Sequence, residues 1–284
     1  MNAQELYKKM DVDFETDRFT DEWPADGFGD YVSENFRKRM MGVVLDNAAE
    51  IERIYTAVFP TDEIIEKILQ ANETNVLLFT HHPQVWDLRL AGFPFKNFSS
   101  DKLEKMKARK ISLYALHVPL DNNGEYSTSV SFARALGIQK EKDFAPYGGG
   151  MAGVIGQTEL ETVSELAERT SAAVGHGVKV FNYGSDNINN QEVAMVAGGG
   201  NDREILAEVA QKGINAYVTG VAAVTSYPPS IEFHKFAKAN KINVISATHY
   251  STEKFACMAM CRYFEKSGLP CEFLADEPDM LNLG

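Results

Sequence analysis

The sequence predicts an α/β fold with a largely parallel sheet, and three observations support this prediction. Short runs rich in Val, Ile and aromatic residues alternate with longer segments of helical periodicity through the middle and end of the chain. Several helical segments follow a residue that can cap a helix, such as Thr61, Asp202 or Ser251. Glycine or a polar pair often closes the strand-like runs. Such alternation is typical of α/β proteins.

The individual elements follow from this alternation. The predicted strands are Asn75–Thr80, Ile111–Leu116, Val178–Asn182, Glu192–Ala197, Ala216–Thr219 and Ile242–Ser246. The predicted helices are residues 61–71, 101–108, 127–137, 158–174, 202–212, 229–239 and 251–267. Residues 1–40 show no clean periodicity; we expect an irregular arm or a capping helix there and assign it no function. The glycine-rich stretch Tyr147–Gly156 predicts a loop or turn.

The bulk composition limits the classes of function. The 284 residues are 44% hydrophobic and 24% charged, which suits one large domain or two ordinary ones. The formal net charge of −12 argues against a nucleic-acid partner, because proteins that bind the phosphate backbone need clustered Lys and Arg. The amino terminus has no apolar segment, and no 18 apolar residues run together. We therefore expect a soluble, cytoplasmic protein that does not bind membranes.

Polar residues with metal-binding side chains follow three of the strand-like runs. His81 and His82 precede Pro83 after one strand, and His117 and Asp121 follow another. In parallel sheets, ligands gather at the carboxyl ends of strands. A turn before Pro83 would let the two adjacent imidazoles diverge around a shared cavity, which suits two ions better than one. The alternative for an isolated His-His-Pro is a loop with surface histidines.

His249 and Glu253 follow the third strand and are four residues apart. If this segment is helical, the two side chains lie on one face of the helix, about 6 Å apart in rise. The spacing is common by chance, but Ser251 can cap the helix that carries Glu253. Cys257 and Cys261 continue the series, yet each step of four rotates about 40° and advances about 6 Å, so we interpret them as core residues.

The imidazole and carboxylate ligands suit zinc, iron, manganese, cobalt or nickel. Two such ions can activate water for hydrolysis. Three cysteines, Cys257, Cys261 and Cys271, are an odd number near one end and form a poor disulfide framework. We expect them to be reduced and mostly buried.

Several motifs in fixed order resemble the Nif-three-like family of dinuclear metal-binding proteins, often named GTP cyclohydrolase I type 2 homologues. The likeness begins near Gly42. The motifs that carry it are Thr80–Pro83, His117–Asp121, Tyr147–Gly156, Val196–Asn201, Tyr217–Gly220 and Thr248–Glu253.

The resemblance implies a metal centre and a domain arrangement. Its ligands would be His81, His82, Asp121, His249 and Glu253, with His117 close by. The implied fold has two related α/β units with mixed, largely parallel sheets, the second inserted into the first. We place the metal-binding domain at residues 1–125 together with 240–284, and the inserted domain at 126–239. Family members also form toroidal hexamers, so we expect a homohexamer.

Two positions depart from the family pattern. Val221 stands where relatives usually have an acid, and Thr248 stands where they usually have glycine before the histidine. The first change removes a charge near the cavity, so the substrate could differ.

Other candidate residues leave alternatives open. The run Gly198–Gly200 is either a tight turn or a cradle for an anion, since it follows a strand and precedes a helix. His176 and His234 are interpreted as structural or exposed. His117 either orients water, acts as general acid and base, or hydrogen-bonds a metal ligand. We predict it as the catalytic residue.

We therefore predict a hydrolase that uses two divalent ions and acts on a small phosphorylated or nucleotide-like compound. GTP ring opening is the reaction that the family label suggests. The alternative is a non-enzymatic metal-binding or regulatory protein that stores, delivers or senses metal.

Overall fold

The computed structural model describes residues 1–24, 26–86 and 95–283, and it divides into two compact units. Unit 1 comprises Met1–Leu120 and Cys257–Asp276, and unit 2 comprises Asp121–Ala256 and Glu277–Gly284. Each unit contains a mixed sheet with helices, so the predicted α/β class with two units is confirmed. The division predicted at residues 125 and 240 stays a prediction.

The bounds of the elements follow the chain. The helices are α1 (Ala3–Asp13), α2 (Glu34–Arg39), α3 (Asp62–Gln70), α4 (Ser100–Ala108), α5 (Val118–Asp121), α6 (Thr128–Leu136), α7 (Val163–Val174), α8 (Arg203–Gln211), α9 (Pro228–Ala239) and α10 (His249–Lys266). The strands are β1 (Gly42–Leu45), β2 (Arg53–Ala57), β3 (Val76–Thr80), β4 (Val85–Trp86), β5 (Phe95–Lys96), β6 (Ile111–Ala115), β7 (Gln139–Tyr147), β8 (Gly150–Gln157), β9 (Lys179–Phe181), β10 (Glu192–Val196), β11 (Ala216–Thr219), β12 (Asn243–Ser246) and β13 (Cys271–Phe273).

The main sheet of unit 1 has the strand order β1-β6-β3-β2-β13 among the described residues. Strands β6, β3, β2 and β13 are parallel to one another, and β1 is antiparallel to β6. Every residue of β3 and β6 is buried, which explains their continuous apolar sequence. These two central strands end at the same edge, because Thr80 pairs with Ala115.

The sheet of unit 2 has the order β7-β8-β10-β11-β12-β9. Strands β10, β11 and β12 are parallel, and β8 and β9 run antiparallel to their neighbours. The sheet is therefore mixed with a parallel centre. Its buried side chains include Met195, Val218 and Ile245, one from each central strand.

Of the three helix caps predicted from the sequence, those at Thr61 and Asp202 are confirmed. The hydroxyl of Thr61 accepts the Ile64 N–H, and the Asp202 carboxylate accepts the Glu204 N–H. The predicted cap at Ser251 is wrong. Helix α10 begins at His249, and the hydroxyl of Thr248 accepts the Ser251 N–H at 3.3 Å. Thr248 therefore caps the helix, which starts two residues earlier than predicted.

The largest error in the predicted elements concerns Tyr147–Gly156. The prediction is correct only for the turn at Gly148 and Gly149, because β7 and β8 form an antiparallel hairpin around it, with Tyr147 paired to Gly150. Its glycines obscured the strand pattern. A β-carbon at Gly153 would lie 2.4 Å from Phe144 Cε1, so the close packing of the Phe144 ring requires glycine there.

Two further differences concern helices. The helix predicted from residue 158 begins at Val163, because β8 continues to Gln157 and Thr162 forms a capping box with Glu165. Residues 1–40 contain α1 and α2 as well as irregular segments. Among the described residues, no helix combines the length and the apolar character that crossing a bilayer requires.

Candidate metal centre

Unit 1 carries three histidines at the carboxyl ends of two neighbouring strands. His81 and His82 directly follow β3, and His117 comes two residues after β6. Because β3 and β6 are parallel neighbours, these ends lie at one edge of the sheet. The three histidines each offer a ring nitrogen within 4.8 Å of the others. We call His81, His82 and His117 the histidine cluster.

The adjacent imidazoles of His81 and His82 contact each other instead of diverging as predicted. Their ring centroids lie 4.4 Å apart and their planes are inclined by 65°. The His81 N–H donates to the Ala57 carbonyl and the His82 N–H to the Val58 carbonyl, which fixes the backbone where β3 ends. Both residues are at most 1% exposed, so the alternative of surface histidines on a loop is wrong.

Hydrogen bonding indicates which nitrogen of His81 can bind an ion. Its Nδ1 lies 3.0 Å from the Leu116 carbonyl oxygen. A carbonyl oxygen only accepts, so Nδ1 carries the hydrogen and Nε2 carries the lone pair. Metal-binding histidines commonly hold their second nitrogen in this way. The ring of His82 stacks on Phe59 with centroids 4.5 Å apart, which fixes its plane.

The prediction missed two residues that contact the histidine cluster. The Asp21 carboxylate lies 3.0 and 3.2 Å from His117 Nδ1. The edge of Trp23 meets the rings of His117 and His82, with centroids 5.1 and 5.6 Å away. Both residues belong to the irregular part of the first 40 residues, where no periodicity or motif marks them. No signal in the sequence would have identified them.

In unit 2, His249 and Glu253 form a close pair on the first turns of α10. His249 Nε2 lies 3.0 Å from Glu253 Oε1. The predicted placement on one helix face is therefore confirmed, although both residues lie inside the helix rather than on either side of its cap. Glu253 is only 3% exposed, so its carboxylate needs a compensating partner.

Asp121 belongs to the same unit. One of its carboxylate oxygens lies within 4.8 Å of a carboxylate oxygen of Glu253. The Thr128 hydroxyl donates a hydrogen bond of 2.7 Å to Asp121 Oδ1, and the buried acid is thereby oriented. Two carboxylates this close repel each other unless a cation or a proton lies between them.

The first glycine after β10 packs against the pair on α10. Gly198 has a positive φ of 73°, and its N–H donates to the Thr252 hydroxyl at 2.8 Å. A β-carbon there would lie 2.2 Å from Glu253 Oε1 and 3.2 Å from His249 Nε2. The close approach supports the interpretation as a tight turn. The anion cradle stays a prediction.

Val221 and Thr248, where the resemblance predicts an acid and a glycine, lie beside this turn. Thr248 has φ +65°, a conformation that a β-branched residue rarely adopts and that glycine adopts freely. Its hydroxyl caps α10, which compensates in part. Val221 donates its N–H to the Gly198 carbonyl at 3.1 Å, so its backbone supports the turn while its side chain brings no charge.

The histidine cluster of unit 1 could hold a divalent metal ion, and unit 2 offers further donors of suitable chemistry. Unit 1 offers three imidazoles, and unit 2 offers one imidazole and two carboxylates. Nitrogen and oxygen donors of this kind suit zinc, iron, manganese, cobalt and nickel. The bonds from the Nδ1 atoms of His81 and His117 to a carbonyl and a carboxylate are those expected of metal-site histidines.

The remaining histidines lie outside these groups. His234 is 8% exposed, and its Nε2 lies 2.9 Å from the Ala222 carbonyl oxygen. Burial lowers the pKa of His234 below its usual value. His176 Nε2 lies 2.8 Å from the Ser251 hydroxyl, so it supports the start of α10. Structural roles therefore account for both.

The cysteines are not part of the metal-binding groups among the described residues. Cys257 is fully buried, as predicted. The interpretation of Cys261 as a core residue is wrong in part, because it is only half-buried and its Sγ lies 3.0 Å from that of Cys271. The end of α10 and the edge strand β13 bring the two thiols together.

Comparison with known proteins adds a family. The model of the family described as Duf34/NIF3 (NGG1p interacting factor 3) matches residues 37–278. A protein of Archaeoglobus fulgidus named GTP cyclohydrolase 1 type 2 homolog is 26% identical over 278 residues, covering 96% of this chain and 98% of its own. A relative of the same name from Deinococcus radiodurans is 28% identical over 239 residues, covering 82% and 83%.

Solved structures share the fold. The protein ybgI, described as of unknown function, has a TM-score of 0.76 at 19% identity, covering 98% of this chain and 100% of its own. Protein TTHA1606 from Thermus thermophilus has a TM-score of 0.68 at 24% identity, covering 99% and 100%.

Proposed function

The chain belongs to the DUF34/NIF3 family, and from this premise we propose that it is a hydrolase that uses two divalent metal ions. The substrate class is a small phosphorylated or nucleotide-like compound. The observation that carries the proposal is the histidine cluster, in which three imidazoles converge within 4.8 Å at the carboxyl ends of β3 and β6. Imidazoles that converge in this way form a donor set that divalent ions such as zinc bind.

The ligands would be His81, His82, Asp121, His249 and Glu253. This is the ligand set that the family resemblance implies. The carboxylates of Asp121 and Glu253 lie near each other and would be stabilised by positive charge. Bound divalent ions would supply Lewis-acid chemistry, which polarises the bond to be broken and makes water more acidic.

His117 is proposed as the group that moves protons. Its Nδ1 faces the Asp21 carboxylate, and an imidazole held at one nitrogen can exchange protons through the other. Its side chain is 14% exposed, whereas His81 and His82 are almost fully buried. This greater exposure suits a residue that exchanges protons with a substrate or solvent.

The substrate class rests on the names of relatives. The Archaeoglobus fulgidus and Deinococcus radiodurans proteins are named as homologues of a GTP cyclohydrolase. A nucleotide-like compound carries phosphate groups that divalent ions bind well. We propose further that the protein is cytoplasmic and binds no nucleic acid. We also propose that it forms a homo-oligomer, which the family resemblance implies is a hexamer. Light scattering after gel filtration measures the mass of the oligomer.

The burial of the ligands favours a second candidate function. His81 is fully buried and Glu253 is 3% exposed. Ligands so enclosed suit a protein that stores, delivers or senses metal without turning over a substrate. This candidate predicts tight metal binding and no turnover.

One experiment separates the two functions. The protein is purified without added metal, its metal content is measured by elemental analysis, and the loaded protein is assayed against nucleotides and phosphoesters. His82→Ala is assayed beside it, with His234→Gln as a control that removes an imidazole elsewhere. Turnover that His82→Ala abolishes and His234→Gln retains supports the hydrolase. Tight metal binding without turnover on any compound supports the second candidate, and loss of neither metal nor turnover in His82→Ala contradicts the proposed centre.

A further inference from the structure

A short segment near the amino terminus lies against the histidine cluster of unit 1. We call residues 16–31 the N-terminal arm; it contains two short 3₁₀ helices, Thr16–Arg18 and Asp26–Tyr31. The arm precedes residues 37–278, which the family model matches. The family assignment therefore does not include the arm.

Asp21 is the arm residue closest to His117. Its carboxylate is 5% exposed and lies 3.0 and 3.2 Å from His117 Nδ1. The N–H groups of Glu22 and Val118 also donate to it, at 2.9 and 3.4 Å. These bonds fix the carboxylate itself. A buried carboxylate held in this way orients any imidazole that donates to it.

Trp23 competes for the same nitrogen. Its Nε1–H points at His117 Nδ1 from 3.3 Å. Nδ1 cannot donate to Asp21 and accept from Trp23 at once, because it has either a hydrogen or a lone pair. The bond to the carboxylate is shorter and charge-assisted, so it prevails. Trp23 then acts by packing, since its ring meets His117 edge-on, with planes inclined by 88°.

We propose that Asp21 is a positioning residue that holds His117 with its hydrogen on Nδ1 and its lone pair on Nε2. The N-terminal arm thus supplies the carboxylate of a carboxylate–imidazole pair whose imidazole follows β6. This inference rests on the proposed function for its consequence, because an Nε2 lone pair is what proton transfer by His117 requires. The tautomer itself does not depend on that function.

The tautomer is measured directly. Long-range proton–nitrogen correlation NMR of the metal-free protein, with the ring assigned through His117→Gln, reports which nitrogen carries the hydrogen. We expect an unprotonated Nε2 in the wild type. Asp21→Asn keeps the size of the side chain but removes the charge, and its amide can either donate to Nδ1 or accept from it. We therefore expect the fraction of His117 with its hydrogen on Nδ1 to fall. Asp21→Glu restores a carboxylate and is expected to return the hydrogen to Nδ1.

Glu22→Gln is the matched control. Glu22 is the next residue along the chain and its side chain is exposed. The substitution removes the same charge as Asp21→Asn, and we expect it to leave the His117 resonances unchanged. A wild-type His117 with its hydrogen on Nε2 overturns the inference. So does an Asp21→Asn spectrum that matches the wild type, or one that Glu22→Gln reproduces.

Activity gives a second readout once a substrate is known. Loss of a group that orients a metal-site or catalytic histidine typically lowers activity by about 10–100-fold, and we expect this in kcat with KM unchanged. The metal centre is tested separately by cobalt(II) binding to His82→Ala. If His82→Ala loses cobalt(II) while Asp21→Asn keeps the wild-type tautomer, the inference about Asp21 fails and the metal centre stands. If His82→Ala binds cobalt(II) as the wild type does and Asp21→Asn shifts the hydrogen, the centre fails and the role of Asp21 stands.

Discussion

Gly198 and Glu253 approach each other so closely that a β-carbon at position 198 would lie 2.2 Å from Glu253 Oε1. The carboxylate is almost fully buried and is paired with His249 one helical turn away. The turn after β10 and the start of α10 therefore determine together where this candidate ligand points. Only glycine at position 198 leaves room for the Glu253 carboxylate in this position.

Gly198→Ala is expected to displace the Glu253 carboxylate and lower the metal content of the purified protein. The positive φ of 73° adds a backbone cost of about 1–2 kcal/mol, measured as a lower free energy of unfolding in urea. Gly199→Ala is the matched control, since a β-carbon there meets no atom within 4 Å. Equal metal content in the two variants would contradict the expectation.

Thr128→Val is expected to weaken the orientation of Asp121. The substitution keeps the shape of the side chain but removes the hydroxyl that donates to Asp121 Oδ1 at 2.7 Å. A buried carboxylate that loses one donor costs about 1–3 kcal/mol in the free energy of unfolding of the metal-free protein. The control is Ser131→Ala on the same helix, because the buried Ser131 hydroxyl finds no hydrogen-bond partner in the part of the chain that the structure describes. Its loss is expected to change stability little, and a larger effect than that of Thr128→Val would refute the argument.

His234 is expected to make the protein less stable in acid. Burial lowers its pKa in the folded state, so the unfolded chain binds the proton more readily. Above the unfolded-state pKa of about 6.5, His234 is neutral in both the folded and the unfolded protein, and its full contribution to the free energy of unfolding is present. That contribution is lost as the pH falls from the unfolded-state pKa towards the folded-state pKa. Urea unfolding of metal-free protein at about pH 7.5 and pH 5.5 should show a smaller loss in His234→Gln than in the wild type. The same loss in both proteins would show that His234 does not contribute.

The thiols are expected to react in a fixed order. The hydrogen bond from the Cys271 thiol lowers the pKa of Cys261, and the same pairing raises the pKa of Cys271. Since the thiolate is the nucleophile, iodoacetamide should modify Cys261 first, with fully buried Cys257 last. Peptide mapping by mass spectrometry at short reaction times gives the order. In Cys271→Ala, which removes the donor, we expect slower modification of Cys261; faster modification would mean that Cys271 shields the thiol instead of activating it.

Much of the candidate site could be predicted from the sequence, because its residues lie at the ends of regular elements. His81, His82 and His117 follow buried apolar strands, and parallel strands bring their carboxyl ends to one edge. His249 and Glu253 are one helical turn apart, so a local rule placed them on the same face. The hairpin of β7 and β8 was missed because its glycines, which pack against the paired strand, hide the alternating pattern of a strand.

The sequence by itself determined the α/β class, the strand ends that carry the histidines and the helical spacing of His249 and Glu253. These features follow from local periodicity, which neighbouring residues encode. Only the tertiary structure decided that Asp21 lies beside His117, 96 positions away, and that Gly198 lies against Glu253. Neither contact has a local signal, because it depends on how distant segments pack together, and packing is a property of the whole chain.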